Sequence, residues 1–324
     1  MKVLTFAIAL TGTLASAECA GAQTYPSRPI TVVVGYPAGG PTDIIARLLT
    51  QRMSGPLGQS VIVENVSGAN GGIGAGRVAR APPDGYTLSL ANWNNAVANG
   101  AVYALKYDLI ADFAPIALLT SAPLWIVARP TFPASNLAEL VAWLKANPGK
   151  ASAATVGAGG AAHVSGIYFE DRTGTSFQFV PYRGGAPAVQ DLIAGQVDLM
   201  CAEASATLPY VRSGKLRAYA VLATRRWSPA PDVPTADEAG APGLTISFWH
   251  GLWAPGGTTR DVIARLNAAV VEAFSDPSVR RTLADMGLDV PVGTELTPEA
   301  LGHFQKAEIE KWYPIIKAAG VRAE

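Results

Sequence analysis

Again and again along this chain, a β-branched run ends in a glycine turn that opens into a helix-forming stretch. "ITVVVG" (30–35) leads through Gly39-Gly40 into "TDIIARLLTQRM". "VIVENV" (61–66) leads through a glycine cluster into a short helix stopped at Pro82-Pro83-Asp84-Gly85, and "YTLSLAN" (86–92) follows. Strands separated by helices cannot pair as hairpins; they return parallel, and both faces of the sheet must then be covered. A second series starts near "PLWIVARP" (123–130). It continues through the helix "NLAELVAWLKANPG", the strand "SAATVG", a helix through His163, the strand "FQFVPY", the helix "APAVQDLIAGQ" and the strands "VDLMCAE" and "LRAYAVLA". A Pro-rich stretch (228–243) interrupts, and "TISFWHGLWAP" (245–255) reads as one more strand. The tail is helical: Ile263, Leu266, Val270 and Phe274 share a face behind a capping Thr258 or Thr259, and Leu301, Phe304, Trp312 and Ile316 mark a last helix within 297–319.

Two such series in 324 residues, 49% of them apolar, exceed one typical domain. The expected fold class is α/β and two-lobed, each lobe a mixed, largely parallel sheet flanked by helices. Extended crossings near 120–125 and 245–250 divide the chain into 23–123 with 248–324 as lobe 1 and 124–247 as lobe 2. The helical tail is expected to return to lobe 1, and the cleft between lobes is the default ligand site. Charges sum to zero and make up only 15% of residues, which argues against a nucleic-acid partner or a polybasic membrane patch.

Lys2, the apolar "VLTFAIALTGTLA" and the small residues of "ASA" (15–17) or "AGA" (20–22) read as a secretory signal, 1–22, cut before "QTYPSRP". The apolar run is too short for a permanent span, so export to the periplasm is expected. Cys19 would leave with the signal. Cys201 then stands alone as a small core residue without a disulfide partner.

"VSGANGGIGAGRVARA" (66–81) has the glycine spacing of a dinucleotide loop, with Gly68, Gly72 and Gly74 in place and "NNAV" following at 94–97. The rest of that machinery is missing. The next strand ends Leu90-Ala91-Asn92, with no acid to hold a ribose, and the helix that follows the glycines is short. There is no G-x-S-x-G elbow, and His163, His250 and His303 lack metal-ligand spacing. No cofactor, metal or catalytic residue is expected, and an exported enzyme is the disfavoured alternative.

A different role suits the glycines. In Tyr36-Pro37-Ala38-Gly39-Gly40-Pro41-Thr42-Asp43 a strand ends and a helix begins, so exposed amide N–H groups and the helix dipole face outward toward negative charge. Gly157, Gly159 and Gly160 form a similar turn before a helix that carries His163. Two such nests gripping one small anion would draw the lobes together.

These stretches, with "LGQSVIVENVSGANGGIGAGRVARAPPDGYTL" (57–88), "FVPYRGGAPAVQDLIAGQVD" (179–198), "GKLRAYAV" (214–221) and "FWHGLWAPGGT", resemble the Bug/TctC family, the solute-binding proteins of tripartite tricarboxylate transporters. Almost the whole mature chain is covered. The resemblance implies a two-lobed receptor that closes on a small carboxylate and delivers it to a membrane permease. It also implies that the first loop holds a carboxylate through backbone groups and ordered water. The family's second loop commonly reads G-x-G-S-x-x-H; here Gly160 replaces the serine. A sensory module acting through a membrane receptor kinase is the competing reading. The expected protein is a monomer, and its ligand is a di- or tricarboxylate, an aromatic acid or an acidic amino acid.

Individual residues keep two roles open. Asp43 caps its helix or touches ligand; His163 orients its loop or fills a half-buried niche. Asn92 and Trp93 end a strand at the expected cleft, where Trp93 stacks on ligand or belongs to the core. Tyr182 and Gly184 are wall candidates, Arg183 offers a charge or is solvated, and Glu203 receives an amine or is paired. Trp249 and His250 sit at the second crossing, where hinge packing explains them.

Overall fold

The computed structural model describes residues 25–182 and 184–322; the expected signal, Cys19 and Arg183 lie outside the described residues. Strand β1 (Ile30–Val34) is almost wholly buried because helices cover both faces of its sheet, and it pairs in parallel with β2 (Val61–Asn65) and β3 (Thr87–Asn92). Between them run α1 (Pro41–Leu57) and α2 (Gly72–Ala79). Proline at the first position and an extended Gly40 start α1, and left-handed Gly58 (φ +65°) ends it. Beyond β3 the chain forms a wide helical turn over Asn94–Ala98 and then α3 (Asn99–Val102).

Strand β4 (Phe113–Ala128) is 16 residues long and joins the two halves. Sequence reading starts the second series only near 123, with an extended crossing at 120–125, and so misses the first ten residues of this strand. Pro115 is tolerated where the register against the neighbouring strand slips, and Pro123 lies at the last pair with that neighbour. The second half follows in order: α4 (Leu137–Ala146), β5 (Ser152–Thr155), α5 (Ala161–Thr173), β6 (Gln178–Pro181), α6 (Gly185–Ala194), β7 (Leu199–Glu203), α7 (Ala204–Arg212) and β8 (Arg217–Val221). Strand β9 (Ser247–Pro255) then returns antiparallel to both β3 and β4. The strand order is β2-β1-β3-β9-β4-β7-β5-β6, with β8 also on β4. Residues 113–123 of β4 pair with β9, whereas 124–128 pair with β7 and β8, so one strand serves both sheets of a two-lobed α/β fold.

The tail adds α8 (Arg260–Ser275), α9 (Pro277–Asp285) and α10 (Pro298–Ala318). Helix α8 buries Ile263, Leu266, Val270 and Phe274, as the periodicity predicts. Thr259 stands at its N-cap, but neither threonine hydroxyl caps it; Thr258 Oγ1 donates to the carbonyl of Pro255 instead. Helix α10 does not confine itself to the first sheet. Its 21 residues span about 30 Å, and Trp312 packs edge-on to Trp93 on one side and to Tyr168 of α5 on the other. Beneath them Glu308 Oε2 accepts the indole N–H groups of Trp93 (2.9 Å), Trp312 (3.2 Å) and Trp249 (3.3 Å), tying β9, α10 and the end of β3 together.

Candidate functional site

Parallel strands deliver their carboxyl ends, and hence the helix N-termini that follow, to one edge of a sheet. Here both sheets present that edge to a common cleft of about 840 Å³. The turn after β1 contributes Tyr36, Pro37, Ala38, Gly40 and Thr42, and the turn after β2 contributes Ser67, Gly68, Asn70 and Gly71. Asn92 ends β3 and Asn94 follows it. From the other side come Val156, Gly157 and Ala158 after β5, Tyr182, Gly184 and Gly185 after β6, and Glu203 at the end of β7.

Side chains hold the first turn from behind. Asp43 is buried: its Oδ2 accepts the Gly39 N–H (2.9 Å) and Arg47 Nε (2.8 Å), and its Oδ1 accepts Asn65 Nδ2 (2.9 Å). The Arg47 guanidinium, then the Gly39 amide and Asn65, bring its pKa down to about 2. Asp43 therefore fixes the loop and stands outside the cleft wall, and Gly39 has already spent its amide. Gly40 and Thr42 line the cleft, and none of the hydrogen bonds found among the described residues uses their amides. Pro41 between them has no N–H to offer.

A polar chain runs from this turn to the crossing strands. The Tyr36 hydroxyl lies 2.8 Å from Asn92 Oδ1 and 3.1 Å from the Asn70 carbonyl, and Asn92 Nδ2 donates to Thr42 Oγ1 (3.3 Å). Thr42 Oγ1 is 3.2 Å from His250 Nε2, and Thr120 Oγ1 is 3.1 Å from His250 Nδ1. Burial drives the His250 pKa down to about 3, so the ring is neutral and donates to one threonine while accepting from the other. His250 is thus more than hinge packing: it props the threonine that faces the cleft.

In the second turn His163 Nδ1 accepts the Gly159 N–H (3.1 Å), and burial lowers the pKa of the ring. This is the loop-orienting role. The Ala161 N–H at the start of α5 is met by Asn94 Oδ1 (2.9 Å), reaching across from the first half. A Cβ on Gly160 would lie 2.7 Å from the Val156 carbonyl oxygen, so this turn has no room for the serine of the family pattern unless its backbone shifts. Gly159, Gly160 and His163 support the turn without lining the cleft, which Gly157 does.

Trp93 requires correction as a ligand-stacking candidate. The chain turns into its wide helix just after Asn92, which sends the indole into the core, fully buried and bonded to Glu308. Trp249 is buried behind the cleft in the same way. Tyr182 donates to Asp191 Oδ2 (2.8 Å), and left-handed Gly184 (φ +149°) precedes α6. Cys201 is buried and burial pushes its thiol up to about 12, which leaves it inert at neutral pH. Sequence reasoning missed Asn70 and Asn94. The usable signal was asparagine beside glycine in "SGANGG", where Asn70 adopts φ +49°; "NN" was weighed only against a dehydrogenase motif.

The glycine run of 66–81 is packing geometry. A Cβ on Gly74 would lie 3.1 Å from Gly35 Cα and 2.9 Å from the Val66 carbonyl oxygen, and one on Gly35 would lie 2.6 Å from Gly71 Cα. The glycines let α2 and two turns close on each other, as no nucleotide is needed to explain.

Residues 45–321 match the family described as "Tripartite tricarboxylate transporter family receptor". Protein BugT of Bordetella pertussis is 35% identical over 303 residues, 93% of this chain and 92% of its own length. MatC from Rhodopseudomonas palustris, solved with bound malate, is 39% identical and superposes with a TM-score of 0.82 over 90% of this chain and 100% of that one. R. palustris Rpa4515, solved with adipate, is 32% identical with a TM-score of 0.83 over 92% and 100%. The matching turns, the shared two-sheet frame and the near-complete coverage place this chain in the TctC family of solute-binding receptors of tripartite tricarboxylate transporters.

Proposed function

We propose that this chain captures a small carboxylate in the cleft, leaves it chemically unchanged and presents it to a membrane permease. One observation carries the reading. Helix N-termini converge on a cleft with unspent amides at Gly40 and Thr42, while the described wall has no lysine, arginine or histidine side chain. Peptide dipoles then supply the positive potential that a carboxylate needs, and dehydration of a cationic side chain is avoided. The malate and adipate of the two R. palustris relatives are guests of this chemical type.

Tyr36, Ala38, Gly40, Thr42, Asn92, Gly157, Tyr182 and Gly184 form the proposed binding wall, and Gly39, Asp43, Gly159, Gly160 and His163 hold its loops. The proposed lobes, 23–123 with 248–324 and 124–247, close about the points where β4 and β9 cross. Export to the periplasm with loss of 1–22, and action as a monomer, complete the proposal.

A thermal-shift screen against a panel of carboxylates tests it. A true ligand at a hundredfold over its Kd adds about 2.7 kcal/mol of stability. Gly40→Val places a branched side chain in the cleft mouth, where the nearest atom to a Cβ is the Pro37 carbonyl oxygen at 3.5 Å, so the fold should survive while the shift disappears. An undiminished shift in Gly40→Val would overturn the site.

A further inference from the structure

Glu203 is the one carboxylate side chain in the described cleft wall. Its Oε1 accepts the Ser205 hydroxyl (2.9 Å), and no ion pair among the described residues includes it. The same wall carries Leu124, Val156, Val189, Met200 and Phe248, and the start of α7, whose N-cap is Glu203, is the compensation the fold itself gives the charge. Burial raises the pKa of this carboxyl and the Ser205 hydroxyl offsets it in part, as expected of an acid with no cationic partner. The ionised acid repels the second carboxylate of a simple dianion, whereas an ammonium group favours its ionised form and pairs with it.

The acid and the amide pole are tied to different points of β4. Thr42 rests on His250, which faces Thr120 of β4, while Glu203 faces Leu124 of the same strand. Four residues of extended chain separate these anchor points by about 13 Å. An α-amino acid carries both charged groups on one carbon and is poorly matched to two separate poles; a guest with several intervening bonds suits them, and its methylene chain would lie along the apolar lining.

We propose that the cleft selects small carboxylates that carry an ammonium group several bonds from the carboxylate, the carboxylate seated on the Gly40 and Thr42 amides and the ammonium on Glu203. The proposal rests on the carboxylate-receptor reading and narrows its ligand class. Each charge of such a guest meets its opposite out of water, where charge-assisted hydrogen bonds are strongest.

Calorimetry on the full chain with two chain-matched series decides the matter: caproate, ε-aminocaproate and adipate, then butyrate, γ-aminobutyrate and succinate. In at least one series the amino member should bind about tenfold more tightly than the diacid, and Glu203→Gln should erase that preference. Thermal unfolding of Glu203→Gln checks that the variant is folded, and the unmodified chain alone can already refute the proposal. Tighter binding of the diacids, or a preference that Glu203→Gln leaves intact, overturns the ligand class while carboxylate capture stands. Failure of all six to bind overturns the ligand class, and the carboxylate panel then decides on capture separately.

Discussion

Glu308 invites removal. Its Oε2 is the shared acceptor of three indole N–H groups, from Trp93, Trp249 and Trp312, and all three rings are fully buried. Glu308→Leu leaves those donors without a partner. An orphaned buried donor costs about 1–3 kcal/mol, so three would cost roughly 3–9 kcal/mol if they acted independently. They share one oxygen and are not independent, which puts the expected loss near the lower end, about 3–5 kcal/mol. At about 2–4 °C per kcal/mol for a chain of this size class, the melting temperature should fall by roughly 6–20 °C. Glu308→Gln keeps an acceptor oxygen and loses only its charge, so its cost should be about 1–2 kcal/mol. Urea unfolding followed by tryptophan fluorescence measures both variants, and the indole N–H resonances report which rings lost their partner. A Glu308→Leu variant within about 1 kcal/mol of the parent, or a Glu308→Gln variant as damaged as the leucine, would refute the hub.

Other consequences are directional. His250 has an ordinary pKa of 6.5 and one of about 3 in the fold, so between these values only the unfolded chain takes up its proton, and stability should fall as pH drops through that window. His250→Gln should remove this part of the pH slope, with His163→Gln as the control because its lowered pKa acts in the same sense; an unchanged slope refutes the assignment. Asp43 falls from 3.8 to about 2, so its contribution is complete above pH 3.8 and disappears as pH falls toward 2. Asp43→Asn should flatten that acid limb in a pH series of melting curves. Gly160→Ser forces its Cβ toward the Val156 carbonyl and should destabilise the fold by about 1–3 kcal/mol in urea titration; a variant as stable as the parent would show that the turn relaxes freely.

The repeated strand–turn–helix unit is written in the residues, because β-branched runs and glycine punctuation act over a few neighbours. The order of elements was therefore legible, down to the apolar face of α8. Two features resisted. The continuity of β4 through Pro115 and Pro123 was not read, since whether a strand runs through a proline depends on the register of its partner, a non-local fact. Trp93 follows Asn92 directly yet faces the core, because the direction of a side chain at a strand end is set by the turn beyond it. The site was legible as two loops and illegible as a distribution of free donors. Sequence places amides at both helix starts, but it cannot show that Asp43 claims Gly39, that His163 claims Gly159 or that Asn94 claims Ala161 across the cleft. His250 was missed as a prop for Thr42 because the two are 208 residues apart.

The central claim is that peptide amides, not cationic side chains, seat the guest. Backbone amide resonances followed by NMR during titration with a bound carboxylate test it most directly. Gly40 and Thr42 should shift downfield together and saturably, while Gly39, already bonded to Asp43, should move little. Saturable binding that leaves Gly40 and Thr42 unmoved would contradict the account.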